Sequence, residues 1–136
     1  MFSFDRRVLP EEDLEEVIKE FTSCLTKSAK RASARCRVEV LSAVPPSTTP
    51  PNALIVRLAK ECLSKMGYSP RIVIKSGRTD AVYYVTHLGS EAVCLGPGVD
   101  GMAHAFDEFT EVDQVASFIT IYKLMLDAFR RYALRQ

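Results

Sequence analysis

A run of four prolines in eight residues constrains the fold of this chain more than any other feature of its sequence. The run, residues 44–51, reads VPPSTTPP. Because proline fixes φ and lacks an amide hydrogen, this segment can be neither a helix interior nor a central strand. It therefore predicts a stiff linker between two parts of the chain, residues 1–43 and residues 52–136. The chain has 136 residues, of which 47% are hydrophobic and 26% charged, and this composition predicts a folded core.

The part before the linker is predicted to form a strand, a helix and a second strand. Phe2 and Phe4 alternate with polar residues, as in a strand, and Pro10 ends this element. Acidic residues then open a helix, where they suit the helix dipole. Its apolar face is formed by Leu14, Val17, Ile18, Phe21 and Leu25. Residues 37–41 alternate again and predict the second strand.

The part after the linker is predicted to alternate between helices and strands. Thr49, before Pro50, and Thr110 are predicted to begin helices. The predicted elements are a helix ending at Gly67, a strand at 72–74, a short helix at 80–87, a strand at 92–95 and a long final helix. This alternation is typical of an α/β fold.

Charge and composition narrow the classes of function. The net charge of +1 argues against non-specific nucleic-acid binding, which requires a basic face. No apolar stretch has membrane length, and the N-terminus lacks signal-peptide architecture, so we expect a cytoplasmic protein. The four cysteines form no CxxC pair and are interpreted as reduced and mostly buried.

The segment that most suggests chemistry is the loop GPGVDGMAHAFDEF, residues 96–109. Its glycines and prolines predict an irregular backbone held in one shape. His104, on such a loop after an apolar run, is a candidate metal ligand or catalytic base. A metal site needs three or more ligands, and the chain offers few others. His87, in the short helix, is interpreted as a surface or internally satisfied histidine.

Three segments carry a resemblance to a known family. They are FSFDRRVLPEEDLEEV (residues 2–17), KSGRTDAVYY (75–84) and GPGVDGMAHAFDEFTEVDQV (96–115). In this order, they resemble the C-terminal third of the zinc-dependent aminoacylase and carboxypeptidase family. That family includes acetylornithine deacetylase and succinyl-diaminopimelate desuccinylase. The third segment, similar to a Gly-Pro-Gly loop with a final histidine, is the most specific.

The resemblance implies a role for each matching residue. His104 matches the last metal ligand, which binds one zinc of a dinuclear pair. Arg7 matches an arginine of the lid that grips the substrate carboxylate. Arg78 and Thr79 match a turn that cradles a substrate carboxylate with backbone donors. Glu108 matches a residue beside the metal ligand that would help to orient it.

The resemblance also implies a fold and an activity. The fold would be α/β, with a partial strand–helix–strand lid (1–43) and the C-terminal part of a phosphorylase/hydrolase-like zinc peptidase catalytic domain (52–136). The complete enzyme would use zinc or cobalt to hydrolyse N-acyl amino acids or small peptides. Its catalytic glutamate and other zinc ligands would lie in an N-terminal half that nothing in this chain resembles. We therefore expect no catalytic residue in this chain, no stably bound metal and no activity of the chain alone.

Two positions depart from the family pattern, and a second function remains open. Arg78 stands where the family has glycine, and Val82 stands where it has arginine. The expected partners are a second copy of the chain or a missing N-terminal half, with no nucleic acid and no membrane. The alternative function is a non-catalytic association module, or a relic, that assembles through sheet edges at residues 1–8 or 37–41.

Overall fold

The secondary structure of this protein is helical. A computed structural model describes residues 1–74, 77, 79–99 and 101–135. Its helices are α1 (Leu14–Arg31), α2 (Leu54–Lys65), α3 (Ala81–Leu88) and α4 (Val112–Ala133). By its internal contacts the chain divides into two compact units, Met1–Thr48 and Thr49–Gln136. The boundary falls inside the proline-rich segment, and the interpretation of the units as lid and catalytic part stays a prediction.

The predicted α/β fold, with its strand–helix–strand lid, is wrong. Within the described ranges there is no strand, and no hydrogen bond joins the backbones of two non-helical segments. Residues 37–41, 72–74 and 92–95 keep their strand-like sequences but have no regular structure. A strand needs a second segment to complete its hydrogen bonds, whereas a helix completes its own. An alternating pattern alone is therefore not sufficient evidence for a sheet.

The first unit consists of α1 and an N-terminal segment that lies against it. Asp13 caps α1 by accepting a hydrogen bond from the Glu16 amide at 2.9 Å. The Phe4 and Phe21 rings meet edge to face with centroids 5.8 Å apart. No residue of α1 is buried, so this unit has only a thin apolar contact rather than a core.

A salt bridge at the start of this unit shapes the entry to α1. Arg6 donates to both oxygens of Glu12, at 2.6 and 2.5 Å, and the Leu9 amide donates to the same carboxylate at 2.7 Å. The hydrogen bonds from Arg6, more than any other cause, lower the pKa of Glu12 to about 2. The carboxylate thereby holds the turn before the helix.

The second unit is built on the packing of α2 against α4. Ile121 is fully buried and lies with Phe118 of α4 against Cys62 of α2. The Tyr68 ring lies 6.2 Å from that of Phe118 and closes one end of this cluster. Every fully buried residue in the described ranges belongs to this unit. The second unit therefore contains the hydrophobic core of the structure.

Side chains tie the non-helical segment 91–99 to the helices. The Thr49 hydroxyl donates to the Ala92 carbonyl at 2.6 Å and accepts from the Ala92 amide at 3.1 Å. The Tyr122 hydroxyl of α4 donates to the Leu95 carbonyl at 2.8 Å. These bonds fix the segment from which the loop with His104 departs.

The predicted helix ends are partly correct. Asp80 and Gly89 flank α3 as its caps, and Gly67 follows α2 with a left-handed φ of 82°. Thr49 and Thr110 are not helix caps, because α2 is preceded by Ala53 and α4 by Glu111, neither with a capping side-chain bond. The cysteine interpretation is also wrong in part, since only Cys62 is buried and Cys24, Cys36 and Cys94 are exposed.

Candidate functional site

The loop between residue 95 and α4 is a chain of tight turns. Amide-to-carbonyl hydrogen bonds run from Met102 to Val99 at 3.2 Å, from Ala105 to Met102 at 2.9 Å, and from Glu108 to Ala105 at 3.3 Å. Each bond spans three residues, as in a β-turn. The turns fix the backbone on both sides of His104 without any regular secondary structure.

His104 has an unusual backbone conformation within this loop. Its φ is 66°, in the left-handed region that non-glycine residues enter at a cost. Its amide donates to the Glu108 Oε2 atom at 2.9 Å, which holds the turn in this shape. The bond engages the backbone, and the residue is exposed at the surface of the loop.

Glu108 therefore acts on His104 through the backbone in this structure. Its carboxylate accepts the His104 amide rather than a ring nitrogen. This is a bond of an ionised group to a backbone donor, which is stronger than a neutral one. At the other end of the loop, the Gln114 side chain of α4 accepts the Gly98 amide at 3.1 Å. The loop backbone is thereby held at His104 and at Gly98 by side chains that follow these residues in sequence.

Thr79 lies at the start of α3, next to a thiol. Its carbonyl accepts the Val82 amide at 3.2 Å and so begins the helix. Its hydroxyl lies 3.3 Å from the Sγ atom of Cys94. The Thr79 side chain is half-buried, and Asp80 provides no side-chain cap to the helix. Arg78, the other residue predicted for this turn, lies outside the described residues.

Arg7 belongs to the first unit and is exposed. Its Nε atom lies 3.3 Å from the Asp5 Oδ1 atom, and both side chains remain more than two-thirds exposed. Such a surface ion pair contributes little to stability, and salt weakens it further. The guanidinium is therefore available to another carboxylate.

An apolar cleft of about 440 Å³ lies in the second unit. Its lining includes Ile55, Tyr84, Leu95, Tyr122 and Met125. The Glu91 carboxylate, also in the lining, accepts the Ile55 amide at 3.4 Å near the uncapped start of α2. Thr79, His104 and Glu108 are not among the residues that line this cleft.

Metal-ligating side chains do not gather anywhere in the described part of the chain. No three His, Cys, Asp or Glu residues there come close enough to hold a metal ion. His104 offers one imidazole, whereas a zinc site takes three or four donors. The described residues therefore do not form a zinc site by themselves. Likewise, no helix among them is long and apolar enough to cross a membrane.

Comparison with protein-family models assigns the chain to a family. The model of peptidase family M20/M25/M40 matches residues 6–128, which is most of the sequence. The chain belongs to this family. Comparisons with curated proteins and with solved structures gave no match. The family assignment confirms the resemblance at the level of metallopeptidase-like hydrolases, while the deacetylase and desuccinylase subgroup stays a prediction.

Sequence reasoning missed the side chains that organise this region. Thr49, Cys94, Gln114 and Tyr122 make their contacts with residues 15 to 43 positions away. Each has a side chain that can form a hydrogen bond, and this was the only available signal. The signal marks a group that needs a hydrogen-bond partner but does not identify the partner.

Proposed function

We propose that this chain is the C-terminal portion of a metal-dependent amidohydrolase that acts on N-acyl amino acids or small peptides. His104 supplies one metal ligand, and Thr79 and Arg78 form part of the binding site for the substrate carboxylate. Arg7, in the first unit, is proposed to bind a substrate carboxylate in the complete enzyme. The membership of residues 6–128 in peptidase family M20/M25/M40 supports the class of reaction.

The observation that carries this proposal is the presentation of His104. His104 is exposed and has a left-handed φ. Tight turns and the Glu108 carboxylate hold the backbone of its loop. An exposed imidazole on a backbone held in one shape suits a zinc ligand, because the loop itself needs little further ordering when the metal binds. Glu108 is a positioning residue for this ligand, acting through the backbone.

The proposed carboxylate site rests on charge and on the start of α3. The Asp80 side chain makes no capping bond to this helix start, and helix starts favour anions. The Thr79 hydroxyl stands beside it, in contact with the thiol of Cys94. Arg7, held only by an exposed pair with Asp5, can exchange that partner for a substrate.

The chain alone is proposed to be inactive. In the complete enzyme, bound metal would polarise the substrate carbonyl and activate water. The remaining ligands and the general base must come from elsewhere, because the described residues provide one imidazole without neighbouring donors. This chain's own contribution is to hold the imidazole, to bind the carboxylate and to orient the substrate.

The test combines activity with metal binding. The purified chain is assayed with zinc or cobalt against N-acetyl and N-succinyl amino acids, and no metal-dependent turnover is expected. Cobalt is then titrated while NMR follows the ring signals of the two histidines. Weak paramagnetic broadening is expected at the His104 ring and at the residues next to it, and His104→Ala should abolish the broadening of those neighbouring residues.

The control is His87→Ala, which removes the other histidine, stacked on Tyr83 with ring centroids 6.0 Å apart. This variant should leave the broadening of the His104 signals unchanged. Turnover that His104→Ala abolishes would contradict the proposed inactivity. Cobalt binding that depends on His87 alone would contradict the assignment of His104.

The alternative, a non-catalytic association module, also has support. Large apolar side chains are exposed on both units, for example Phe2, Leu41, Ile74 and Leu126. Exposed apolar area of this kind is typical of an interaction surface. Association through sheet edges is not proposed, because the described residues form no sheet.

A further inference from the structure

A row of three side chains on α4 connects the core to the loop that carries His104. Gln114, Phe118 and Tyr122 follow one another at intervals of four residues, which places them along one ridge of the helix. Phe118, in the middle of the row, is buried in the core, and the Tyr122 ring meets it edge to face with centroids 5.8 Å apart. The two polar ends of the row therefore belong to a helix whose position the core fixes.

These polar ends hold the segment that enters the loop. The Tyr122 hydroxyl donates to the Leu95 carbonyl at 2.8 Å, and the Gln114 Oε1 atom accepts the Gly98 amide at 3.1 Å. The extended chain from residue 95 to residue 98 spans about 10 Å, and the helix from residue 114 to residue 122 rises about 12 Å. The segment 95–98 thus runs along α4 in the opposite direction and is attached to it at both ends.

Gln114 makes this contact from a position that usually serves the helix end. It is the third residue of α4, from which a glutamine commonly reaches back to the backbone amide of the residue that caps the helix. Here the capping residue is Glu111, but the Gln114 side chain accepts the Gly98 amide, 16 positions earlier in the sequence. Gln114 therefore contributes to the placement of the loop.

We propose that Gln114 and Tyr122 are positioning residues for His104, because they set where the loop leaves the helix. This inference rests on the proposed function, in which His104 supplies a metal ligand. The successive tight turns carry the placement onward from residue 99, and the bond from the His104 amide to Glu108 holds the far end of the loop. The position of the ligand is thereby tied to the core of the second unit through α4.

The expected size of the effect follows from the kind of bond. A single neutral hydrogen bond between protein groups contributes little net stability, so the loss of one should raise the population of released loop by about two- to tenfold. Release at residue 95 or 98 would leave the core intact, because neither bond holds α4 against α2. The loop should therefore loosen while the helices persist.

The test follows the His104 amide by NMR in the full chain, without metal. Tyr122→Phe removes one hydroxyl and keeps the ring beside Phe118, and Gln114→Leu removes the acceptor at nearly the same size. Each variant should speed hydrogen exchange of the His104 amide about two- to tenfold, although the partner of that amide is Glu108. Gln114→Glu keeps an acceptor oxygen and should restore the parent rate.

Tyr84→Phe is the matched control. It removes a tyrosine hydroxyl from α3 of the same unit and should leave the exchange rate unchanged. Circular dichroism should show that all variants keep their helices. A cobalt titration then measures the consequence for the ligand, since paramagnetic broadening next to His104 should require about two- to tenfold more cobalt in Tyr122→Phe and in Gln114→Leu.

The two measurements separate this proposal from the proposed function. An exchange rate that stays at the parent value in both Gln114→Leu and Tyr122→Phe would overturn the positioning role. So would exchange in Gln114→Glu as fast as in Gln114→Leu, or cobalt binding that is unchanged although exchange is faster. Absence of cobalt broadening in the parent chain would instead contradict His104 as a metal ligand, and the exchange rates would still decide whether α4 positions the loop.

Discussion

Replacing Ile121 by alanine should reveal how much of the stability depends on the α2–α4 contact. Ile121 has no exposed surface and packs with Phe118 and Cys62. The substitution removes three carbon atoms, which corresponds to about 2.4 kcal/mol of lost burial. The cavity left behind adds to this, so the total cost should lie between about 2 and 5 kcal/mol. A small domain has only about 5 kcal/mol to lose.

A matched control lies two residues away on the same helix. Ile119 is 54% exposed, so Ile119→Ala should cost about 1 kcal/mol or less. Both substitutions change helix propensity equally, because each replaces isoleucine by alanine within α4. The difference between the two variants therefore isolates the burial of Ile121.

The assay is urea unfolding followed by circular dichroism, at protein concentrations where light scattering reports a monomer. The midpoint for Ile121→Ala should fall well below that for Ile119→Ala, and its thermal midpoint should fall by about 10 °C or more. Equal losses in the two variants would refute the reasoning, because they would mean that the α2–α4 contact is not the core of this unit.

Two further predictions follow from single side chains. Cys62 is 1% exposed, and burial raises the pKa of its thiol. A thiol reagent should therefore modify Cys24, Cys36 and Cys94 quickly, and Cys62 only after unfolding. Rapid modification of all four thiols in the folded protein would contradict this prediction. The pKa of Glu12 is lowered from 4.5 to about 2. Its salt bridge to Arg6 should therefore stabilise the turn before α1 fully above pH 4.5, and this stabilisation should be lost as the pH falls toward 2. An NMR titration of the Glu12 carboxyl checks this, and an ordinary midpoint near 4.5 would count against the salt bridge.

Helices were predicted from the sequence more reliably than the segments between them. The apolar face of α1 and the position of α3, to within a residue at each end, were predicted because a helix depends on residues within a few positions of one another. Residues 72–74 and 92–95 have the composition of strands, yet no described segment supplies the backbone partner that a strand needs. A local pattern contains no information about a distant partner.

The difference between local patterns and distant partners also decides what the sequence could predict about the candidate site. His104 stood out because glycines and prolines surround it, and it lies exposed on a turned loop. The hydroxyl of Thr49 was misassigned as a helix cap because two prolines follow it, whereas it binds the backbone of Ala92, 43 residues away. Glu108 was expected from the resemblance to lie beside His104, and its carboxylate accepts the His104 backbone amide, while its role at a metal site stays a prediction.

The left-handed backbone at His104 also bears on how this position would change under mutation. Glycine adopts a φ of 66° without strain, whereas a side chain costs about 1 kcal/mol there. If folding were the only requirement, random substitution would move this position toward glycine or asparagine. His104 stands in a backbone conformation that glycine would adopt without strain, so His104→Gly would relieve this cost at the same time as it removed the ring.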